Sequence, residues 1–339
     1  MKAAIFEKPG LENLEVKENV VEPKITDHDV LIKVKMCGIN PIDYTVVSSS
    51  LLKIYPLPHI PGAETSGIIE EVGNHVISNL KKGDKVVVYN KKFDGTCDMC
   101  LNGLDMICRN GGLIGVITNG GFAKYISVPA KNVFKIPDDM NWELAASLPV
   151  TSLTPYHALK EATLKLNEYL LVFGASGNTG MIAVQLGKKM GAKVIAVSKD
   201  NWIKTDFGAD YIINEYDKVV EQVKRITQGK MADVILNSLG INTWESSFAS
   251  TGINGRWVTF GGLTGADVKL NVRALYTNQI KLIGSTGGTR KEIQELIDIA
   301  SKEGLKVKVW KKFKLADLKE ALKALFAKER SGRILLEVS

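Results

Sequence analysis

The sequence predicts an α/β protein, a strand-rich first domain followed by a doubly wound parallel sheet, on three observations. First, Tyr169–Phe173 is a run of apolar and aromatic residues entering a turn of small residues, Gly174-Ala175-Ser176-Gly177-Asn178-Thr179-Gly180; Met181–Gly187 then continues at helical spacing. Second, strand and helix patterns alternate from about residue 145 to 285. Third, the residues before 145 form short alternating strands separated by Gly and Pro, the pattern of an antiparallel, barrel-like β domain.

Taken in order, Asp29–Lys35, Thr65–Val72 and Asp84–Tyr89 alternate apolar and polar residues and read as strands of the first domain. In the second domain Tyr169–Phe173 is followed by strand patterns at Lys193–Val197, Tyr211–Ile213, Asp233–Leu236, Arg256–Phe260 and Lys281–Ile283, in βαβ order. The tail offers helix Lys291–Ala300, strand Lys306–Trp310, helix Leu315–Lys328 and strand Arg333–Val338. The parallel sheet is complete without this tail, which is therefore expected to fold back onto the first domain. The expected domains are 1–144 with 286–339, and 145–285.

Composition excludes several function classes. With 45% hydrophobic and 24% charged residues in 339, the chain is an ordinary globular protein. No apolar run approaches the ~18 residues of a membrane span. Met1–Phe6 has a strand pattern without a signal-peptide core, so a cytoplasmic location is expected. The net charge of +7 is dispersed along the chain, without a cluster dense enough for nucleic acid. The expected partner is a small-molecule substrate, with self-assembly as a homodimer or homotetramer.

The small-residue turn carries the first chemical signal. A strand, a glycine-rich turn and a helix form the front of a dinucleotide-binding βαβ unit, and Lys193–Val197 supplies the second strand at the expected distance. Glycines let the backbone approach a pyrophosphate, whose charge rests on the first N–H groups of the helix. Ser176 is not a hydrolase nucleophile, because residue 178 is Asn178 and the elbow motif is absent.

The cysteines carry the second signal. Cys97 and Cys100 are followed by Cys108, and Asp94 stands three residues before Cys97. Outside an oxidising compartment such spacing points to metal. Asp94, Cys97, Cys100 and Cys108 would complete a tetrahedral zinc shell with no position open for water, a structural site in a lobe of about residues 91–110. The alternative is three reduced cysteines in a loop. Cys37 stands alone and reads as a small buried residue.

Together these residues resemble the medium-chain dehydrogenase/reductase superfamily, the zinc alcohol dehydrogenases and quinone oxidoreductases. The resemblance rests on Cys37–Asp43, Pro61–Gly67 with Glu71-Val72-Gly73, Gly83–Val86, the cysteine lobe, Gly174–Gly180 and Ser331–Leu335. It implies a GroES-like β-barrel domain and a Rossmann sheet. In that family the lobe holds four cysteines; here Asp94 takes the first place.

The departures concern the catalytic metal. Family members with catalytic zinc carry a cysteine where this chain has Asn40, a histidine at Ala63, and commonly a cysteine or acid near Val150; only Glu64 of that set remains. One carboxylate does not hold a zinc ion. Asn40–Asp43 and Leu153–Leu159 are similar to the quinone oxidoreductase version, whose threonine, here Thr154, sits beside the nicotinamide. Without a metal to polarise an alcohol oxygen, a conjugated acceptor such as a quinone or enone is the expected substrate, its developing charge met by hydrogen bonds. The cleft facing the nicotinamide is expected to draw on residues 40–64. Asn40 is the candidate donor. Tyr55 is read either as proton donor or as a packing aromatic, and Asp43 as a structural hydrogen-bonding group. His59, His75 and His157 have no partner identifiable from sequence.

Cofactor choice is read after the second strand of the parallel sheet. An NAD enzyme places Asp or Glu there, whereas this chain has Ser198-Lys199, which suits the 2′-phosphate of NADPH, although Asp200 follows. The resemblance also brings Arg333 toward the cofactor phosphate, or into a pair with a surface acid. Two rivals stand beside the reductase reading: an alcohol dehydrogenase recruiting metal through Glu64 and water, and a non-catalytic NADPH-binding redox sensor.

Overall fold

The computed structural model describes residues 1–48 and 55–339. They form two compact units, Met1–Thr151 with Thr289–Ser339, and Ser152–Gly288. The first unit thus runs past residue 144. The reason is local: the backbone N–H groups of Val150 and Thr151 donate to Glu64 and tie that stretch to the first unit.

The first unit is built on the long strand β1 (Asp29–Gly38), longer than the alternation at Asp29–Lys35 suggests because Cys37 and Gly38 are also buried. It pairs antiparallel with β2 (Glu64–Val72), which pairs with β3 (Lys85–Val88). Strand β4 (Tyr125–Pro129) pairs with the first half of β1, and β5 (Val133–Lys135) covers β3. Helix α1 (Pro41–Ser48) leaves the end of β1 with Pro41 at its first position, where proline's missing N–H costs no bond.

The second unit opens with α2 (Leu153–Glu161) and the parallel strand β6 (Tyr169–Phe173), followed by helix α3 (Asn178–Lys189). Then come β7 (Lys193–Val197), β8 (Tyr211–Ile213), β9 (Ala232–Asn237), β10 (Thr251–Thr259) and β11 (Lys281–Gly284). Their spatial order is β8-β7-β6-β9-β10-β11, all parallel. The order reverses between β6 and β9, and ligands of such sheets bind outside the strand carboxyl ends at that point. β6, β7 and β9 are nearly continuous in Val, Ile and Leu, as strands covered on both faces must be.

The tail returns to the first unit. Helix α4 (Arg290–Glu303) begins with a capping box in which Thr289 and Glu292 satisfy each other's backbone N–H groups. Strand β12 (Val309–Lys314) lies a few residues later than the pattern at Lys306–Trp310. Helix α5 (Leu318–Ala324) is shorter than Leu315–Lys328, its first residues forming a 3₁₀ turn. Strand β13 (Arg333–Glu337) pairs parallel with β12 and antiparallel with the end of β1. Ile334 and Leu336 join the main core of this unit with Val34, Ile39 and Leu322. No helix among the described residues is long and apolar enough to cross a membrane.

Candidate functional site

The first unit holds a buried polar network where β1, β2 and β13 meet. Asn40 is the residue before α1, and its backbone N–H donates to Asp43 Oδ2 at 2.8 Å, one half of a capping box. The other Asp43 oxygen accepts from the Ala63 N–H at 2.9 Å, so one carboxylate clamps the start of α1 to the start of β2. Glu64, fully buried, accepts from Asn40 Nδ2 at 2.9 Å, from the Val150 and Thr151 N–H groups at 2.8 and 2.7 Å, and from the Thr151 hydroxyl at 3.0 Å. Residues 148–152 form a wide π-helical turn, which leaves these two N–H groups to Glu64.

Arg333 supplies the charge this network requires. Its guanidinium is 0% exposed, pairs with Glu64, and donates to Ile39 O at 2.8 Å and Asn40 Oδ1 at 3.0 Å. Burial pulls the guanidinium below its usual pKa, while Glu64 and Asp43 oppose that. This corrects the expectation that Arg333 reaches a cofactor phosphate or a surface acid: the position faces the core, and an uncompensated Glu64 there would be costly. Gly38 is the residue that permits the pair, since a Cβ there would collide with the Arg333 guanidinium and the Glu64 carboxylate.

Asn40 is therefore committed on both sides of its amide, to Glu64 and to Arg333, rather than presented to a substrate. Tyr55 is corrected as well. Its hydroxyl donates to Val46 O at 3.0 Å, and its ring stacks on His59 and meets the edge of Phe6, so the packing alternative describes it. His59 is buried with Nε2 at Gly115 O, 3.2 Å away. Of the segment 40–64, residues 49–54 lie outside the described residues. Cys37 is fully buried, and burial pushes its thiol well above the usual value.

Burial also pushes the Asp43 carboxyl up to about 7, against the pull of the Ala63 and Asn40 N–H donors. An unfolded Asp titrates near ~4, so the unfolded chain releases this proton first as pH rises. The contribution of Asp43 to stability is therefore largest below ~4 and declines until pH passes about 7. Relative to Asp43→Asn, the wild type should lose thermal stability between pH 4 and 7, checked by paired melting curves; parallel curves would refute it.

In the second unit the small-residue turn follows β6. Gly174 has φ 62°, a left-handed conformation that suits glycine, and its carbonyl accepts from the Gly177 N–H at 2.9 Å. A Cβ on Gly180 would run into the Gly174 carbonyl, so Gly180 lets α3 pack against the turn. Gly177 is the residue before α3, and Asn178, Thr179 and Gly180 make its first turn, whose N–H groups have no carbonyl one turn earlier. Ser176 and Thr179 are half-buried beside them. Backbone donors at the positive end of a 12-residue helix make an anion cradle.

Ser198, at the end of β7, is 1% exposed, and its hydroxyl accepts from the Asp200 N–H at 3.0 Å. It turns inward and shapes the loop, while Lys199 is exposed. Thr154 is half-buried on α2, and its hydroxyl makes no hydrogen bond among the described residues. Tyr216, which carries no sequence signal, lies beside the turn, where desolvation raises the pKa of its hydroxyl and the Gly174 backbone opposes that. Thr151 is likewise legible only in space, since 87 residues separate it from Glu64.

The lobe brings Asp94, Cys97, Cys100 and Cys108 together with ligand atoms within 4.8 Å of one another. Cys97 and Cys108 sulfurs lie 3.8 Å apart. Ligands 2.3 Å from a tetrahedral zinc would be separated by about 3.8 Å, so the spacing fits that ion. The Cys100 and Arg109 N–H groups lower the Cys97 thiol pKa, whereas burial pushes the Cys100 thiol up to about 12. The Thr96 and Cys97 N–H groups, with the Asn110 side chain, hold the Asp94 carboxyl well below the usual range.

Two family descriptions match the chain: residues 26–138 as an alcohol dehydrogenase GroES-like domain and residues 179–302 as a zinc-binding dehydrogenase. A NAD-dependent alcohol dehydrogenase of Sulfolobus acidocaldarius is 31% identical over 100% of both chains. A human quinone oxidoreductase is 26% identical over 86% of this chain and 82% of its own. The solved structure of a thermostable alcohol dehydrogenase from Pyrobaculum aerophilum superposes with a TM-score of 0.91, at 38% identity, covering 100% of this chain and 99% of that one. With its GroES-like domain and parallel Rossmann sheet, the chain belongs to the medium-chain dehydrogenase/reductase superfamily of alcohol dehydrogenases and quinone oxidoreductases.

Proposed function

We propose that the chain is an NADPH-dependent reductase that delivers hydride to a carbon of a quinone or α,β-unsaturated carbonyl without a catalytic metal ion. The observation that carries this reading is Glu64. Its oxygens are occupied by Asn40, Val150, Thr151 and Arg333, and neither Asn40 nor Ala63 nor Val150 offers a metal ligand in its place. The alcohol dehydrogenase reading through Glu64 would require dismantling that buried network.

Bound NADPH would supply the hydride; the chain supplies position. The backbone of Gly174–Gly180 and the first turn of α3 would hold the pyrophosphate. Thr154 is the hydroxyl assigned to the nicotinamide end, and its lack of an internal partner supports that role. The Asn40–Glu64–Arg333 network acts as a rigid support for the substrate-side segment. Asp94, Cys97, Cys100 and Cys108 would hold one structural zinc, shaping the lobe and taking no part in hydride transfer.

The deciding experiment is a panel of quinones, enones and enoyl thioesters against simple alcohols, with both cofactors and with and without zinc. Reduction of a conjugated acceptor is expected. Oxidation of alcohols with added zinc, and no conjugated reduction, would overturn the reading. The cofactor half has its own test. Position 198 carries no acid and Lys199 is an exposed cation, which supports NADPH, although the Sulfolobus relative is named NAD-dependent. A charged pair at phosphate contributes about 1.5–3 kcal/mol, so Lys199→Glu should weaken NADPH binding at least ~10-fold while leaving NADH nearly unchanged. Equal wild-type affinity for the two cofactors would refute it.

A further inference from the structure

A cavity of about 800 Å³ in the first unit has a basic wall: His28, His75, Lys131, Lys135 and Arg290 line it, together with Gln294, and no Asp or Glu does. Two of these groups have acidic neighbours. Lys135 pairs with Asp84 at 3.0 Å, and His75 lies 3.7 Å from Asp27. Lys131 donates to the Phe93 and Asp94 carbonyls at 2.7 and 3.3 Å, which satisfies hydrogen bonds and leaves its charge uncompensated.

Arg290 is the less usual member. Its guanidinium lies over the rings of Phe93 and Phe134, at 5.3 and 5.8 Å, and its Nε is shut off from solvent with no hydrogen-bond partner. Among the described residues no carboxylate pairs with that guanidinium. Asp105, the acid at the start of α4, faces the backbone N–H of Arg290 at 3.3–3.4 Å and is not on the cavity wall. A guanidinium stacked on aromatic faces is held in orientation, and its planar donor fork matches the oxygens of a phosphoryl group. A partly buried cation without an anion is an unfavourable arrangement that a bound oxyanion would relieve. The volume is in the range of small-molecule and cofactor sites.

We propose that this cavity binds a small phosphoryl-bearing molecule, for which inorganic pyrophosphate is the probe, through Arg290 and Lys131, using no residue of the glycine turn. Asn79 adds an uncharged donor at the wall, while the Gln294 amide there already donates to Asp298.

The test is titration calorimetry of the full chain with inorganic pyrophosphate at ionic strength matched with chloride, comparing wild type, Arg290→Met and Asn79→Asp. Asn79 is exposed, so Asn79→Asp adds a repelling carboxylate without removing packing, and keeps the test intact if Arg290→Met folds poorly. Wild type should bind pyrophosphate, both variants should bind it at least ~10-fold more weakly, and NADPH affinity should not change in either. Unchanged pyrophosphate binding in Asn79→Asp, or in folded Arg290→Met, would show that the ion sits elsewhere and overturn the proposal. So would a wild type that takes up no pyrophosphate.

Discussion

Replacing Arg333 with Met should destabilise the chain by about 3–5 kcal/mol, because it strips a fully buried carboxylate of its cation. Glu64 would keep the donors from Asn40, Val150 and Thr151, but these carry no net charge. Asp43, already pushed up to about 7, would lose the same counter-charge. The double variant Arg333→Met/Glu64→Gln should cost less than the sum of the single ones by ~1 kcal/mol or more, since the pair acts as a unit. Denaturant midpoints for all three proteins check both statements. A loss below ~1 kcal/mol in Arg333→Met would show that water or relaxation compensates Glu64, and the network could not then be the rigid support assigned to it.

The second large effect concerns the lobe. Elemental analysis should find one zinc per chain, and stripping it with a strong chelator should lower the melting temperature by ~8–16 °C. The arithmetic is that a site filled a thousandfold above its Kd contributes about 4 kcal/mol, and each kcal/mol moves the midpoint of a domain this size by roughly 2–4 °C. Cys97→Ser should reproduce most of that loss, while hydride transfer per folded molecule is retained. Two tightly bound zinc ions per chain would contradict the metal-free reading of Glu64, and none would contradict this site.

What was legible in the sequence was what depends on near neighbours. The strands at Tyr169–Phe173 and Lys193–Val197, with Gly174–Gly180 after the first of them, carry their periods and glycines within a few residues. Asp94, Cys97, Cys100 and Cys108 lie within 15 positions, so their grouping around one point could be read from spacing. Boundaries drifted at β12, whose extent Val309–Lys314 follows its pairing with β13, and at α5, where Leu315–Asp317 forms a 3₁₀ turn ahead of the helix.

The sequence by itself determined the family and the two kinds of domain, and it places asparagine at position 40 and alanine at position 63, neither of them a usual zinc ligand. Only the tertiary structure decided what the surviving charged residues do. Arg333 and Glu64 are 269 positions apart and meet because β13 pairs with the end of β1 while β2 pairs with its other side. Once that contact is buried, electrostatics leaves little choice: a carboxylate and a guanidinium removed from water must satisfy each other. A guanidinium that sequence comparison sends to a phosphate, and an amide it offers to a substrate, are thereby bound within the protein itself.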